Sequence, residues 1–187
     1  MTTRTVPPHL YLDTNVILDV LDNRWQASTD LMRRIAVGGW RCSTSRFTFL
    51  EMLDVKQENR FVQNRLAEGM QPSSIIRRLN ERRKGKLALR KRELDTIYEQ
   101  LREAVENAYP FITFQRPLAE LWNRAEVYCA ANIGATDAIH LATATGLACD
   151  VLVTRDEDFL VIAQQYMPTA QPEKAVKSLR ELGFEIE

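Results

Sequence analysis

Short apolar runs that alternate with amphipathic helical patterns constrain this chain more than any other feature. Five runs read as strands: residues 9–13, "WRCST" at 40–44, "FITF" at 111–114, "VLVT" at 151–154 and, with the faintest pattern, "MPTA" at 167–170. Helical spacing follows each of the first two, through Val16, Leu18 and Leu21, then Leu31, Ile35 and Ala36, and then Phe47, Leu50, Leu53 and Phe61. Ser45 is the expected cap of that third helix. Gly69 and Pro72 break the pattern, because glycine closes helices and the residue before proline avoids the helical region. A long helix is expected from Ser74 towards Asn107, with Leu94, Ile97, Tyr98, Leu101 and Val105 as its stripe and Gly85 as a weak point. Pro117 suits a helix first turn ahead of Leu118, Leu121, Trp122, Ala125 and Tyr128. Further helices are expected at 136–145, from about Asp156, and in "PEKAVKSLREL". Strands alternating with helices make this an α/β fold, a central, mainly parallel sheet flanked by helices. At 187 residues the chain fits a single domain, with 55–108 as a helical hairpin inserted in it.

Composition narrows the class without naming a partner. Lys plus Arg and Asp plus Glu number 25 each, so whole-chain charge is uninformative. Its distribution is not. "RRLNERRKGKLALRKR" carries Arg77, Arg78, Arg82, Arg83, Lys84, Lys86, Arg90, Lys91 and Arg92 against the single acid Glu81, which leaves the rest of the chain net negative. Such a run is either a solvated helix face or a contact for the nucleic-acid backbone. No apolar stretch is long enough to span a bilayer, and "MTTRTVPPH" lacks the core of a secretory signal, so a cytoplasmic location without membrane contact is expected. Cys42, Cys129 and Cys149 are odd in number and widely spaced, which suits reduced, mostly buried thiols.

In sheets of this kind ligands bind beyond the carboxyl ends of the strands. Asp13 closes the first run, Asp137 opens a helix in "GATDAIHLATA", and Asp156 follows the fourth run in "VTRDEDF". Glu51 stands in the helix after the second run, about two turns from its start. Helix capping explains Asp13, Asp137 or Asp156 singly, at roughly 0.3–1 kcal/mol each. It does not explain Glu51. Two unit charges about 5 Å apart repel by roughly 3 kcal/mol at an effective dielectric near 20, so four converging carboxylates require a cation. All-oxygen ligands point to Mg²⁺ or Mn²⁺, ions that activate water and stabilise charge on a phosphodiester. Asp158 can replace or assist Asp156. His140 reads as a packed, hydrogen-bonded residue rather than a ligand, Asp19, Asp22 and Asp54 as solvated helix acids or caps, and Trp25, Trp40 and Trp122 as core or interface anchors.

The ordered set "YLDTNVILDVL", "FTFLEML", "GATDAIHLATA" and "VLVTRDEDFL" resembles the PIN-domain nucleases. The resemblance implies a single PIN-like domain and a Mg²⁺- or Mn²⁺-dependent endoribonuclease, as the toxin half of a toxin–antitoxin pair. It maps Asp13, Glu51, Asp137 and Asp156 onto the metal site, with Asn15, Thr14 and Thr154 orienting the first acid or the substrate. Water would attack phosphorus in line, leaving a 5′-phosphate and a 3′-hydroxyl. RNA as substrate, an antitoxin protein as partner and a homodimer are implied in the same way. Neutralising Asp13 or Asp137 is expected to abolish cleavage while sparing the fold. The basic segment is longer than in compact toxin members, and it would meet either RNA or a protein antitoxin. A dehalogenase-like phosphatase would want a second Asp where Asn15 stands. The reading of another class is a catalytically inactive PIN-like module that binds RNA or protein.

Overall fold

β1 (His9–Leu12) is the middle strand of a parallel sheet, and its place there follows from side chains that are apolar on both faces. The structure is a computed structural model and describes residues 4, 6–85, 89–116 and 118–186. Among these residues, β2 (Arg41–Ser45), β3 (Ile112–Gln115), β4 (Val151–Val153) and β5 (Thr169–Ala170) complete the sheet in the order β3-β2-β1-β4-β5. Every pairing is parallel, with Leu10 opposite Cys42 on one side and Val151 on the other. Leu10, Tyr11, Leu12, Val151, Leu152 and Val153 are fully buried, and each aliphatic among them contributes about 1.5–3 kcal/mol by leaving water.

The crossovers are α1 (Thr14–Leu21) and α2 (Gln26–Gly38) between β1 and β2, and α6 (Ala119–Ala130) and α7 (Ala135–Gly146) between β3 and β4. α8 (Glu157–Ala163) joins β4 to β5, and a 3-10 turn at Pro172–Lys174 leads into α9 (Ala175–Glu181). Tyr11 and Leu152 share a core with Ala138, Leu141, Ala142 and Phe159. Small residues on α7 let α6 and α7 pack closely. Pro117 lies outside the described residues.

Between β2 and β3 run α3 (Arg46–Ala67), α4 (Pro72–Arg83) and α5 (Lys91–Ala108). The chain divides into two compact units, one formed by 1–49 with 109–187 and the other by 50–108. In the second unit Phe61, Leu89 and Ile97 form a small core with Leu53, Leu79 and Leu94. Ser45 Oγ accepts the Phe47 N–H at 3.0 Å, the cap expected of α3. The long helix expected from Ser74 is instead two helices. Gly85, at φ +73°, takes the left-handed conformation that ends α4, donating its N–H to the Arg82 carbonyl at 2.7 Å. Leu50, read as part of the apolar stripe of α3, is 57% exposed. Among the described residues no helix is long and apolar enough to cross a membrane.

Candidate active site

The strand order reverses direction between β1 and β4, and the residues just beyond their carboxyl ends are Asp13 on one side and Thr154, Arg155 and Asp156 on the other. Asp13 is the N-cap of α1, its Oδ1 accepting the Thr14 N–H at 2.7 Å. Capping therefore belongs to Asp13 itself, and Thr14 is the first helical residue. The other oxygen, Oδ2, accepts from Asn15 Nδ2 at 2.7 Å and from the Thr154 hydroxyl at 2.6 Å. Asp13 is only 6% exposed, so these donors replace most of the water a carboxylate would otherwise hold.

Thr154 sits at the junction of this network. Fully buried, it gives its proton to Asp13 while its oxygen accepts from Asn15 Nδ2 at 3.2 Å and from the Asp156 N–H at 3.0 Å. Asn15 Oδ1 in turn accepts the Arg155 N–H at 3.0 Å. Asp156 caps α8 by accepting the Phe159 N–H at 3.0 Å, and both Asp156 and Asp158 are exposed. The β4 end is thus pinned to the start of α1 by side chains the sequence marked as orienting groups.

A second buried chain of contacts reaches Asp13 from beneath. Tyr11 and Asp13 are two residues apart on an extended strand, which sends both side chains to one face. The Tyr11 oxygen accepts the Ser45 N–H at 3.1 Å and meets His140 Nδ1 at 2.7 Å. Burial, and after it the charge of Asp13, hold the Tyr11 phenol far above the usual tyrosine range, so it keeps its proton. When Tyr11 donates to Nδ1, the ring proton sits on Nε2, which lies 3.8 Å from Asp13 Oδ1. His140 is 1% exposed and packs edge-on against Tyr11 and Phe47, the packed, hydrogen-bonded role expected of it.

Asp137 occupies the first turn of α7, half-buried, with Oδ2 lying back over Gly134; a Cβ on that glycine would stand 3.5 Å from it. Glu51 is a half-buried residue of α3 and belongs to the second unit. The carboxylates of Asp13, Asp137 and Asp156, all in the first unit, offer only oxygen donors, the chemistry that a hard divalent cation takes. Among the described residues no group of three or more His, Cys, Asp or Glu side chains is arranged to hold a metal ion.

Asp19 and Trp25 depart from expectation. Asp19 is 1% exposed rather than solvated, its Oδ1 meeting Arg155 Nη1 at 2.6 Å and its Oδ2 the Ser28 hydroxyl at 3.1 Å. Trp25 is 43% exposed, which removes the core half of the expected core or interface role, with the Arg155 guanidinium 4.5 Å over its ring. The signal for the first was present, since Asn15 and Asp19 are one helical turn apart and α1 presents both to residue 155. Trp40 is buried and Trp122 is 48% exposed. Cys42 and Cys149 are buried, while Cys129 is exposed.

Within the second unit the basic run supplies the end of α4 and the start of α5. Arg82, with a side chain only 10% exposed, pairs with Asp54 at 3.3 Å and Glu58 at 3.6 Å. Arg83 grips Glu58 through Nε at 2.6 Å and Nη2 at 2.7 Å, which holds the Glu58 carboxyl below the usual range. Arg77, Lys84, Arg90, Lys91 and Arg92 are exposed, Arg78 is half-buried, and Lys86 lies outside the described residues.

The sequence matches the PIN domain family over residues 10–165. No curated protein matches it. Among solved structures the chain is similar to VapBC-1 from nontypeable Haemophilus influenzae, at 16% identity and a TM-score of 0.53, over 87% of this chain and 97% of that one. A toxin–antitoxin complex from Klebsiella pneumoniae aligns at 16% identity and a TM-score of 0.48, with the same 87% and 97% coverage.

Proposed function

The chain belongs to the PIN domain family, and from that premise we propose that it is a divalent-metal-dependent endoribonuclease that hydrolyses RNA phosphodiester bonds. The observation that carries the reading is the Asp13 carboxylate, buried at the β1–β4 switch point and oriented by Asn15 and Thr154. A desolvated carboxylate in a fixed orientation is the group such chemistry needs. Asp13, Asp137, Asp156 and Glu51 would hold Mg²⁺ or Mn²⁺, with Asp158 in reserve for Asp156. The cation, when present, supplies activation of water and neutralisation of charge on the phosphate. The chain's own work is positional. Thr154 and Asn15 fix the Asp13 oxygens, Thr14 supplies a backbone donor, and Tyr11 with His140 backs the carboxylate from the core side.

From the same family membership we propose a role as the toxin of a toxin–antitoxin pair, acting in the cytoplasm with an antitoxin protein as partner and as a homodimer; the likeness to VapBC-1 supports the fold. Residues 55–108 are then a basic helical-hairpin elaboration of one PIN-like domain, and their exposed cations Arg77, Lys84, Arg90, Lys91 and Arg92 are the candidates for RNA contact.

The test is incubation of purified protein with a mixed RNA panel in Mn²⁺, with chelator and Asp137→Asn controls. Cleavage that chelator and substitution both abolish, leaving 5′-phosphate ends, is the expected result. Uncut RNA with folded, Mn²⁺-supplemented, antitoxin-free protein would overturn it. A second reading, a PIN-like module that binds RNA or protein without cutting, is favoured by one observation. Three short hydrogen bonds to Asp13 already give it a structural duty, joining β4 to α1.

A further inference from the structure

The Asp19–Arg155–Trp25 cluster lies outside the acidic set and yet is built into the same network. Arg155 directly follows Thr154, and its N–H is held by Asn15, whose side chain also binds Asp13. Its guanidinium is fixed twice more, by buried Asp19 at 2.6 Å on one edge and by the Trp25 ring at 4.5 Å beneath one face. Asp19 is itself held by Ser28, and Arg24 approaches it at 4.0 Å while pairing with Asp22 at 3.3 Å. Two guanidinium groups and an indole therefore gather beside the last turn of α1 and the start of α2.

Burial of a lone Asp19 would be costly, so Arg155 is required where it stands. A purely structural brace, however, would have no need of exposure. The Arg155 side chain remains 35% exposed and Trp25 43% exposed. Contact with one carboxylate through Nη1 engages one edge of a group that carries five N–H donors. An immobilised guanidinium loses little entropy on meeting a phosphate, and its fork matches phosphate oxygens in a bidentate way. An exposed indole offers a ring face of the kind on which unpaired bases stack.

We propose that Arg155 and Trp25 form a nucleotide-binding platform for single-stranded RNA, Arg155 taking a backbone phosphate and Trp25 stacking a neighbouring base. It rests on RNA as the substrate class proposed above, but not on cleavage. The platform answers how a polyanion is held beside an acidic centre: guanidinium N–H donors, tied to Asp13 through a single shared asparagine, are presented to a phosphate.

The experiment measures binding of a fluorescein-labelled, mixed-sequence, single-stranded RNA twelve-mer and of an abasic twelve-mer, by anisotropy in chelator, across a salt series. Arg155→Lys should weaken RNA binding, and the Asp19→Asn/Arg155→Met double variant, which leaves no uncompensated buried charge, should weaken it about tenfold. The double variant should also lower the salt slope by about 0.7. Trp25→Ala should weaken the RNA about fivefold or more and the abasic oligomer by less, the latter only through the ring's hold on Arg155. Double-variant and Trp25→Ala proteins that melt like wild type and bind both probes with wild-type affinity and slope would overturn the platform, as would wild-type protein that binds neither probe. Binding that follows this pattern in a protein that cuts no RNA in Mn²⁺ would sink the nuclease reading and leave the platform standing.

Discussion

Thr154 shows how much one hydroxyl organises. It donates to Asp13 and accepts from Asn15 and the Asp156 N–H, all without exposure to solvent. Thr154→Val keeps the shape and strands these partners, so it should cost roughly 1–3 kcal/mol in a denaturant melt. A melt within error of wild type would remove Thr154 from the network. Asp13 behaves similarly, and this revises the expectation that neutralising it spares the fold. An amide at position 13 would turn an NH₂ towards either the Thr14 N–H or the Thr154 hydroxyl and Asn15 amide, each of them a donor. Asp13→Asn should therefore lower stability by about 1–3 kcal/mol, measured in the same melt, whereas Asp137→Asn on the half-buried first turn of α7 should lower it less. At this scale the sequence pointed to Asp13, Asp137 and Asp156 because each follows a strand or opens a helix, whereas Glu51 lies inside α3. The sequence did not disclose Arg155, Asp19 or Trp25 as a unit, because their contacts depend on how the β4–α8 turn closes over α1.

Elements were legible where periodicity was strong. β1, β2, β3 and β4 fall within one or two residues of the apolar runs, and β5 shrinks to Thr169–Ala170 because only a short register pairs with Leu152 and Val153. The helical segment from 74 was misread as continuous because helical spacing resumes after Gly85, while the positive φ that stops α4 leaves no periodic trace. The basic run is contiguous in sequence, and folding divides it. Arg82 and Arg83 are committed to Asp54 and Glu58, whereas Lys91 and Arg92 are exposed. Charge reversal at Lys91 and Arg92 should accordingly weaken RNA binding and flatten its salt dependence, by about 0.7 in slope for each lost phosphate contact, with little change in melting. Reversal at Arg82 and Arg83 should lower the melting temperature as well. An unchanged salt slope in the first variant would exclude those residues from RNA contact.

Across the whole molecule, the far end of the sheet sets a pH limit on stability. His9 is buried between the Ser43 hydroxyl at 2.8 Å and the Cys149 thiol at 3.6 Å. Burial, with the nearby Arg41 charge, lowers its pKa below 6.5, against the opposing pull of Asp150, and burial pushes the Cys149 thiol up to about 12. Below the value of a free histidine the unfolded chain binds the proton that native His9 refuses. The stabilisation is therefore complete above about pH 6.5 and declines as pH falls towards the native value. Melts between pH 7.5 and 5.5 should show this decline in wild type and a shallower one in His9→Gln; equal slopes would assign the acid limit to other groups. At the opposite edge Asp13 is a helix cap, and the metal-ligand role proposed for its site is open to a direct test. Water-proton relaxation during Mn²⁺ titration tests it most directly, comparing wild type with Asp137→Asn. Saturable Mn²⁺ binding in wild type that is weakened at least tenfold in an Asp137→Asn protein of unchanged melting temperature is the predicted result. Equal binding by the two proteins, or none by either, would contradict it and leave Asp13 a structural cap.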